Sequence, residues 1–162
     1  QFSLSVPDWR LAILGDGPLR DSLEKRGRQV DLAGRVHFEG YAANPFPWYR
    51  AARALVHPAR FEGLPNAVLE AMSEGRPVIV TDAQVGLRDY VQHGTNALVV
   101  PVDSVESLCE AMTRLAADAG LRDRLGQAAR NAVEIFREER AVSEWTKAIA
   151  GVGPGVAPNK AR

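Results

Sequence analysis

The sequence predicts an α/β fold, a Rossmann-like, doubly wound parallel sheet with additional helices at its C-terminal end. Three observations carry this expectation. Short apolar, β-branched runs recur along the 162 residues. Stretches with apolar residues at helical spacing separate them. Gly, Pro or Asp punctuates nearly every junction. Strand, helix and strand in alternation give parallel pairing, because the crossover helix returns the chain to the same end of the sheet. The length fits one domain, burying roughly 70% of its unfolded surface.

Arg10-Leu11-Ala12-Ile13-Leu14 reads as a first strand buried on both faces, being apolar almost throughout. Gly15-Asp16-Gly17-Pro18 turns the chain, and Pro18 suits a helix start. Leu19 and Leu23 continue as an amphipathic helix to about Arg28. Arg35 to Gly40 is a second strand, followed by Tyr41 and a short helix through Trp48, Tyr49 and Ala52. Ala54 to His57 is the third strand, stopped by Pro58. A helix around Val68 to Met72 ends at Gly75, with Pro77 as a stop signal. Pro77 to Thr81 and Ala97 to Val100 are the fourth and fifth strands, with a short helix or turn over Gly86 to Val91 and a turn over His93 to Asn96 between them. Helices follow, the first capped by Ser104; their apolar stripes are Leu108, Met112, Leu115, then Leu121, Leu125, Ala129, Val133, then Val142, Trp145, Ile149. Gln1 to Leu4 reads as the last turn of a helix begun earlier. The domain spans 1–150, and Gly151 to Arg162 reads as a flexible tail.

Composition excludes several functions. Twenty basic residues balance twenty acidic ones, so no basic footprint for nucleic acid exists. No apolar run approaches the ~20 residues of a membrane helix, and no signal peptide opens the chain. A single cysteine, Cys109, permits no internal disulfide and fits a reducing compartment. Three scattered histidines and one cysteine do not form a metal-ligand pattern.

The chemistry-bearing stretch is Phe61-Glu62-Gly63-Leu64-Pro65-Asn66-Ala67-Val68-Leu69-Glu70-Ala71-Met72. It sets two carboxylates eight positions apart, around a turn and a helix start, between two strands. Such a junction in an open α/β sheet favours anionic or polyhydroxyl ligands. A glutamate pair is by default a solvated helix feature, but these flanking residues favour a site. The Gly15–Pro18 turn has an equally good geometric explanation, since a strand-to-helix turn needs Gly and Pro for shape alone. His57 ends a strand beside the motif, where it could face the ligand, but packing or exposure is its expected role; His37 and His93 read as structural or solvated. Trp48 and Tyr49 read as packing residues.

The motif, followed by Gly75-x-Pro77-Val78-x-x-Thr81-Asp82, resembles the C-terminal half of retaining glycosyltransferases of the large bacterial GT-B group often called family 4. Leu14-Gly15-Asp16-Gly17-Pro18-Leu19, Val36-x-Phe38-x-Gly40 and Gly94-x-Asn96-x-Leu98-x-Val100-Pro101 match the same group in the same order. The resemblance implies one half of a two-domain enzyme that moves a hexosyl or N-acetylhexosaminyl group from a nucleotide sugar, UDP-sugar ahead of GDP-sugar, to a glycan or lipid-linked acceptor in cell-envelope polysaccharide biosynthesis. It implies that Glu62, with catalytic importance, and the loop Gly63, Leu64, Pro65 and Asn66 meet the donor sugar. Glu70 takes the ribose hydroxyls, Gly40 and Tyr41 hold the base, and Gly15 and Gly17 pass close to the donor. The nucleotide sugar is a substrate, and no cofactor or metal is implied; the sequence has no Asp-x-Asp motif. A cytoplasmic protein is expected, with peripheral membrane contact at the cytoplasmic face through the acceptor-binding domain.

The chain departs from the family pattern in three respects. The upstream loop carrying an Arg and a Lys, and the N-terminal acceptor domain, lie outside these 162 residues. Arg88-Asp89 stands where the family usually has a glutamate. The expectation is that the piece alone does not transfer sugar. A stand-alone nucleotide-binding or regulatory module is the alternative reading; a sugar-nucleotide epimerase fits the glutamate spacing less well.

Overall fold

In the computed structural model, residues 6, 8–29, 34–83, 86 and 90–151 are described. The segments at Gln1–Leu4 and beyond Gly151, and Leu87, Arg88 and Asp89 of the turn over Gly86–Val91, lie outside them.

The chain begins with β1 (Leu11–Leu14) and α1 (Arg20–Gln29), then β2 (Val36–Gly40) and α2 (Phe46–Ala51). Next come β3 (Leu55–His57), α3 (Asn66–Ser73) and β4 (Val78–Thr81). The described part closes with β5 (Leu98–Val100), α4 (Val105–Ala117), α5 (Ala119–Ala132), a 3-10 turn at Glu134–Phe136, and α6 (Glu138–Gly151). All strand pairs among these elements are parallel, as the alternation predicts. They form two sheets: β1 pairs β2, and β3, β4 and β5 pair in that order.

Helices cover both faces of the three-stranded sheet, and the pleat of β4 explains how. Val78 and Val80 point one way and join Val68, Ala71 and Met72 of α3 in one cluster. Ile79 points the other way and joins Ala111 and Leu115 of α4 and Leu125 of α5. This is the doubly wound arrangement. β4 is consequently buried at all four positions.

Capping fixes the helices behind the sheet. The Ser104 hydroxyl accepts from the Ser107 N–H at 3.2 Å, and Asp118 accepts from Leu121 N–H at 2.8 Å to start α5. Gly126 of α5 lies so close to the turn after α3 that a Cβ there would sit 2.2 Å from the Gly75 carbonyl oxygen. Only glycine permits that approach. Trp9, just before β1, has two guanidinium groups over its ring, Arg53 ahead of β3 and Arg122 of α5, at 5.9 and 5.7 Å from the ring centroid.

Two apolar stripes read from sequence are not buried. Leu19 and Leu23, before and within α1, are exposed, as are Val142, Trp145 and Ile149 of α6. Their periodicity is helical, but within these residues no partner element covers them. No helix among the described residues is long and apolar enough to cross a membrane.

Candidate functional site

The candidate residues sit at the C-terminal ends of the parallel strands, where the strand-to-helix loops collect. They fall into two groups.

The first group follows β1 and β2. The Gly15 N–H donates to the Gly40 carbonyl at 2.7 Å, tying the two strand ends together. The Gly17 N–H donates to the Asp16 carboxylate at 2.8 Å, which shapes the turn. Gly40 adopts φ +75°, and a Cβ there would approach the Arg20 guanidinium to 3.0 Å. That guanidinium donates to the Phe38 carbonyl at 3.0 Å and to Glu24 at 2.9 Å, bracing the end of β2 from α1. Tyr41, one residue on, is 81% exposed.

The second group follows β3. After His57 the chain runs over Pro58 to Phe61 and reaches Glu62. The Thr81 hydroxyl at the end of β4 donates to the Ala59 carbonyl and anchors this loop. His57 Nε2 lies 3.4 Å from Glu62 Oε1, and the Glu62 side chain remains about one-third exposed, at 35%. Gly63 and Leu64 are exposed, Pro65 is buried, and Asn66 opens α3 on its exposed side. No side chain caps the start of α3. The first-turn N–H groups are thus not taken by a cap, leaving the positive end of the helix available to an anion. Gly86 backs the loop: a Cβ there would fall 1.8 Å from the Gly63 carbonyl oxygen.

Glu70 lies on α3 four residues beyond Asn66, partly buried. The Tyr49 hydroxyl, from α2, donates to Glu70 Oε2 at 3.1 Å. Burial, and then the hydrogen bond and the charge of Glu70, push the Tyr49 phenol up to about 12. Tyr49 therefore stays a donor at any physiological pH. Just past the end of α3, Glu74 accepts from the Arg50 guanidinium of α2 through both oxygens, at 3.1 and 3.0 Å. That contact holds the Glu74 carboxyl below its ordinary value.

Glu62, Gly63, Leu64, Pro65, Asn66 and Glu70 are thus brought onto one loop and helix, and Gly15 and Gly40 onto another junction. Among the described residues no hydrogen bond or ion pair joins the two groups directly. The link is α2, which follows β2 and reaches α3 through Tyr49 and Arg50. An open depression of about 460 Å³ between α1 and β2 is lined by Glu24, Gly27 and Phe38 among others, and by none of the candidate residues. Among the described residues no group of three or more His, Cys, Asp or Glu could hold a metal ion.

Three residues of this neighbourhood are not marked as such by the sequence pattern. Tyr49 reads as packing and does pack, but its hydroxyl also reaches Glu70 across 21 positions. His57 meets Glu62 directly rather than being merely packed or exposed. Gly86 has no motif around it; only the fold puts it against Gly63.

Comparisons with known proteins bear on this arrangement. Residues 2–118 match the family described as Glycosyl transferases group 1. An exopolysaccharide phosphotransferase of Streptomyces coelicolor is 32% identical over 148 residues, covering 89% of this chain and 16% of that protein. The lipopolysaccharide core biosynthesis glycosyltransferase LpsE of Rhizobium meliloti is 33% identical over 122 residues, 75% of this chain and 36% of that one. Among solved structures, the C-terminal domain of a glycosyl transferase group 1 family protein of Francisella tularensis superposes with a TM-score of 0.75 at 24% identity, covering 86% of this chain and 74% of that chain. The pneumococcal O-GlcNAc transferase GtfA in complex with UDP and GlcNAc does so with a TM-score of 0.82 at 17% identity, covering 93% and 31%. The chain spans between 16% and 43% of the length of the first three curated relatives. The match over residues 2–118 and the shared fold together place this chain in the glycosyl transferases group 1 family, with the fold of a C-terminal domain of its GT-B members.

Proposed function

We propose that this chain is the nucleotide-sugar-binding part of a retaining hexosyl- or N-acetylhexosaminyltransferase that builds cell-envelope glycan at the cytoplasmic face of the membrane. One observation carries the reading. Two carboxylates flank a glycine turn and an uncapped helix start at the C-terminal ends of parallel strands. Glu62 and the loop Gly63–Asn66 take the sugar hydroxyls, since a carboxylate accepts two at once and fixes the ring. The start of α3 faces the diphosphate, and its N–H groups stabilise the negative charge that grows on the departing phosphate. Glu70 accepts from the ribose hydroxyls. Gly40 and Tyr41 take the base, and Gly15 and Gly17 let the backbone approach the donor. UDP is the favoured carrier; UDP-bound structures occur among proteins of this fold. No metal takes part. The relatives are much longer than the region matched here, so the acceptor and further cationic groups come from other parts of a full-length protein, and these 162 residues alone hold donor without transferring it.

The test is calorimetric titration of UDP into the full-length protein, with sugar transfer measured in parallel. UDP binds, and Glu70→Ala weakens it about tenfold, the loss of hydrogen bonds to a charged group. Glu62→Ala abolishes most transfer while UDP still binds. A full-length protein that binds no nucleoside diphosphate overturns the reading; normal transfer by Glu62→Ala overturns the role given to Glu62.

A further inference from the structure

We propose that Tyr49 is a positioning residue for Glu70: it holds one carboxylate oxygen so that the remaining acceptor sites present themselves to a vicinal diol, and it thereby sets the preference for ribo- over deoxyribonucleotides. This rests on the role proposed above for Glu70.

Two neighbouring rungs join α2 to α3 and its C-terminal end. Glu74 gives both its oxygens to the Arg50 guanidinium. That is what a carboxylate does when its task is to join two helices: the fork engages both oxygens and fixes the plane of the group. Glu70 behaves differently. Its partner is a neutral hydroxyl, which binds Oε2 alone. Among the described residues no Lys or Arg pairs with it, and Oε1 has no hydrogen-bond partner. A carboxylate offers about four acceptor sites, and Tyr49 occupies one of them. The Tyr49 ring is itself immobilised, 6% exposed and edge-on to Phe46 at 5.9 Å between centroids. The bidentate Arg50 contact one helical turn away fixes α2 against α3. The phenol is therefore a rigid strut, and it restricts the rotamers of a long side chain at the edge of the site. Without that strut a glutamate must lose the same rotamer freedom when ligand binds.

The experiment measures UDP and 2′-deoxy-UDP affinities by calorimetry for the full-length protein and for Tyr49→Phe, Glu70→Ala and the double variant. The ratio of the two dissociation constants is the readout, because any loss of folded protein affects both ligands alike. The wild type prefers UDP about tenfold or more. Glu70→Ala brings the ratio near unity. Tyr49→Phe lowers it about 3- to 5-fold and adds nothing in the Glu70→Ala background. If the wild type shows no preference, or Glu70→Ala keeps it, the role of Glu70 fails and the strut with it. If Glu70→Ala removes the preference while Tyr49→Phe keeps all of it, the strut alone is overturned. Equal weakening of both nucleotides by Tyr49→Phe, with the ratio intact, makes Tyr49 a packing residue only.

Discussion

β1 and β4 have similar sequences and different surroundings. Leu11-Ala12-Ile13-Leu14 and Val78-Ile79-Val80-Thr81 are both four-residue, nearly continuous apolar runs. β4 is buried at every position, between α3 on one face and α4 on the other, with α5 contributing Ala129 to the first cluster and Leu125 to the second. β1 has β2 on one edge, and its first two residues are exposed and the next two half-buried. An apolar run states what a strand needs, and only its neighbours decide whether it receives it. The three-stranded half, with Glu62 and Glu70 on its loop and helix, is a packed unit within these residues. The two-stranded half carries the Gly15–Gly40 junction on a much thinner core.

The strongest challenge to this contrast is a matched pair of truncations. Ile79→Ala opens a cavity in the packed half and costs about 2–5 kcal/mol of unfolding free energy in urea titrations. Ile13→Ala costs less, about 1–2 kcal/mol, since Ile13 keeps part of its surface in water while Ile79 keeps almost none. Equal losses would break the comparison. The two halves differ again at their helical glycines. Gly126→Ala forces a methyl into the Gly75 carbonyl and destabilises by about 1–3 kcal/mol. Gly27→Ala in α1 meets only the Phe38 ring at an ordinary 3.8 Å. It stabilises by about 0.5–1 kcal/mol through helix propensity. Thermal unfolding of the two variants should move in opposite directions.

A further contrast is alkaline. The Tyr49 phenol rises from 10.0 to about 12 on folding. Between those values the unfolded chain has lost its proton and the folded one has not, so the folded state binds more protons and its stability falls as pH rises. Below pH 10 the contribution is constant. Tyr49→Phe lacks this term, and its stability relative to wild type improves across that window. A constant difference from pH 9 to 12 would remove Tyr49 from the packed half's electrostatics.

Much of this molecule is legible in its sequence. The order of strands and helices follows from apolar spacing and Gly/Pro punctuation, and Ser104 announces its helix by its side chain. The motif at Phe61–Met72 announces a site because its residue types suit polyhydroxyl and anionic groups. What sequence does not yield is whatever depends on distance between remote segments. The division into two sheets follows from which edges pair, and local pattern carries no information on that. The Tyr49 hydroxyl and Glu70 meet only because α2 and α3 pack together, and Gly86 backs Gly63 only because β4 runs beside β3. Similarly, Trp145 and Val142 have the spacing of a buried stripe and are exposed, because periodicity records an apolar face but not what lies opposite.

The cation–π contacts of Trp9 give this architecture an optical handle. The chain has two other tryptophans, Trp48 at 37% and Trp145 at 70% exposure. Among the described residues only Trp9 of the three carries guanidinium groups over its ring, those of Arg53 before β3 and Arg122 on α5. Its indole emission therefore reads the contact between the start of β1 and the packed half. With Trp48 and Trp145 replaced by phenylalanine, a loss of the Trp9 signal that precedes the loss of helical circular dichroism reports parting of the two sheets, and a coincident loss reports global unfolding.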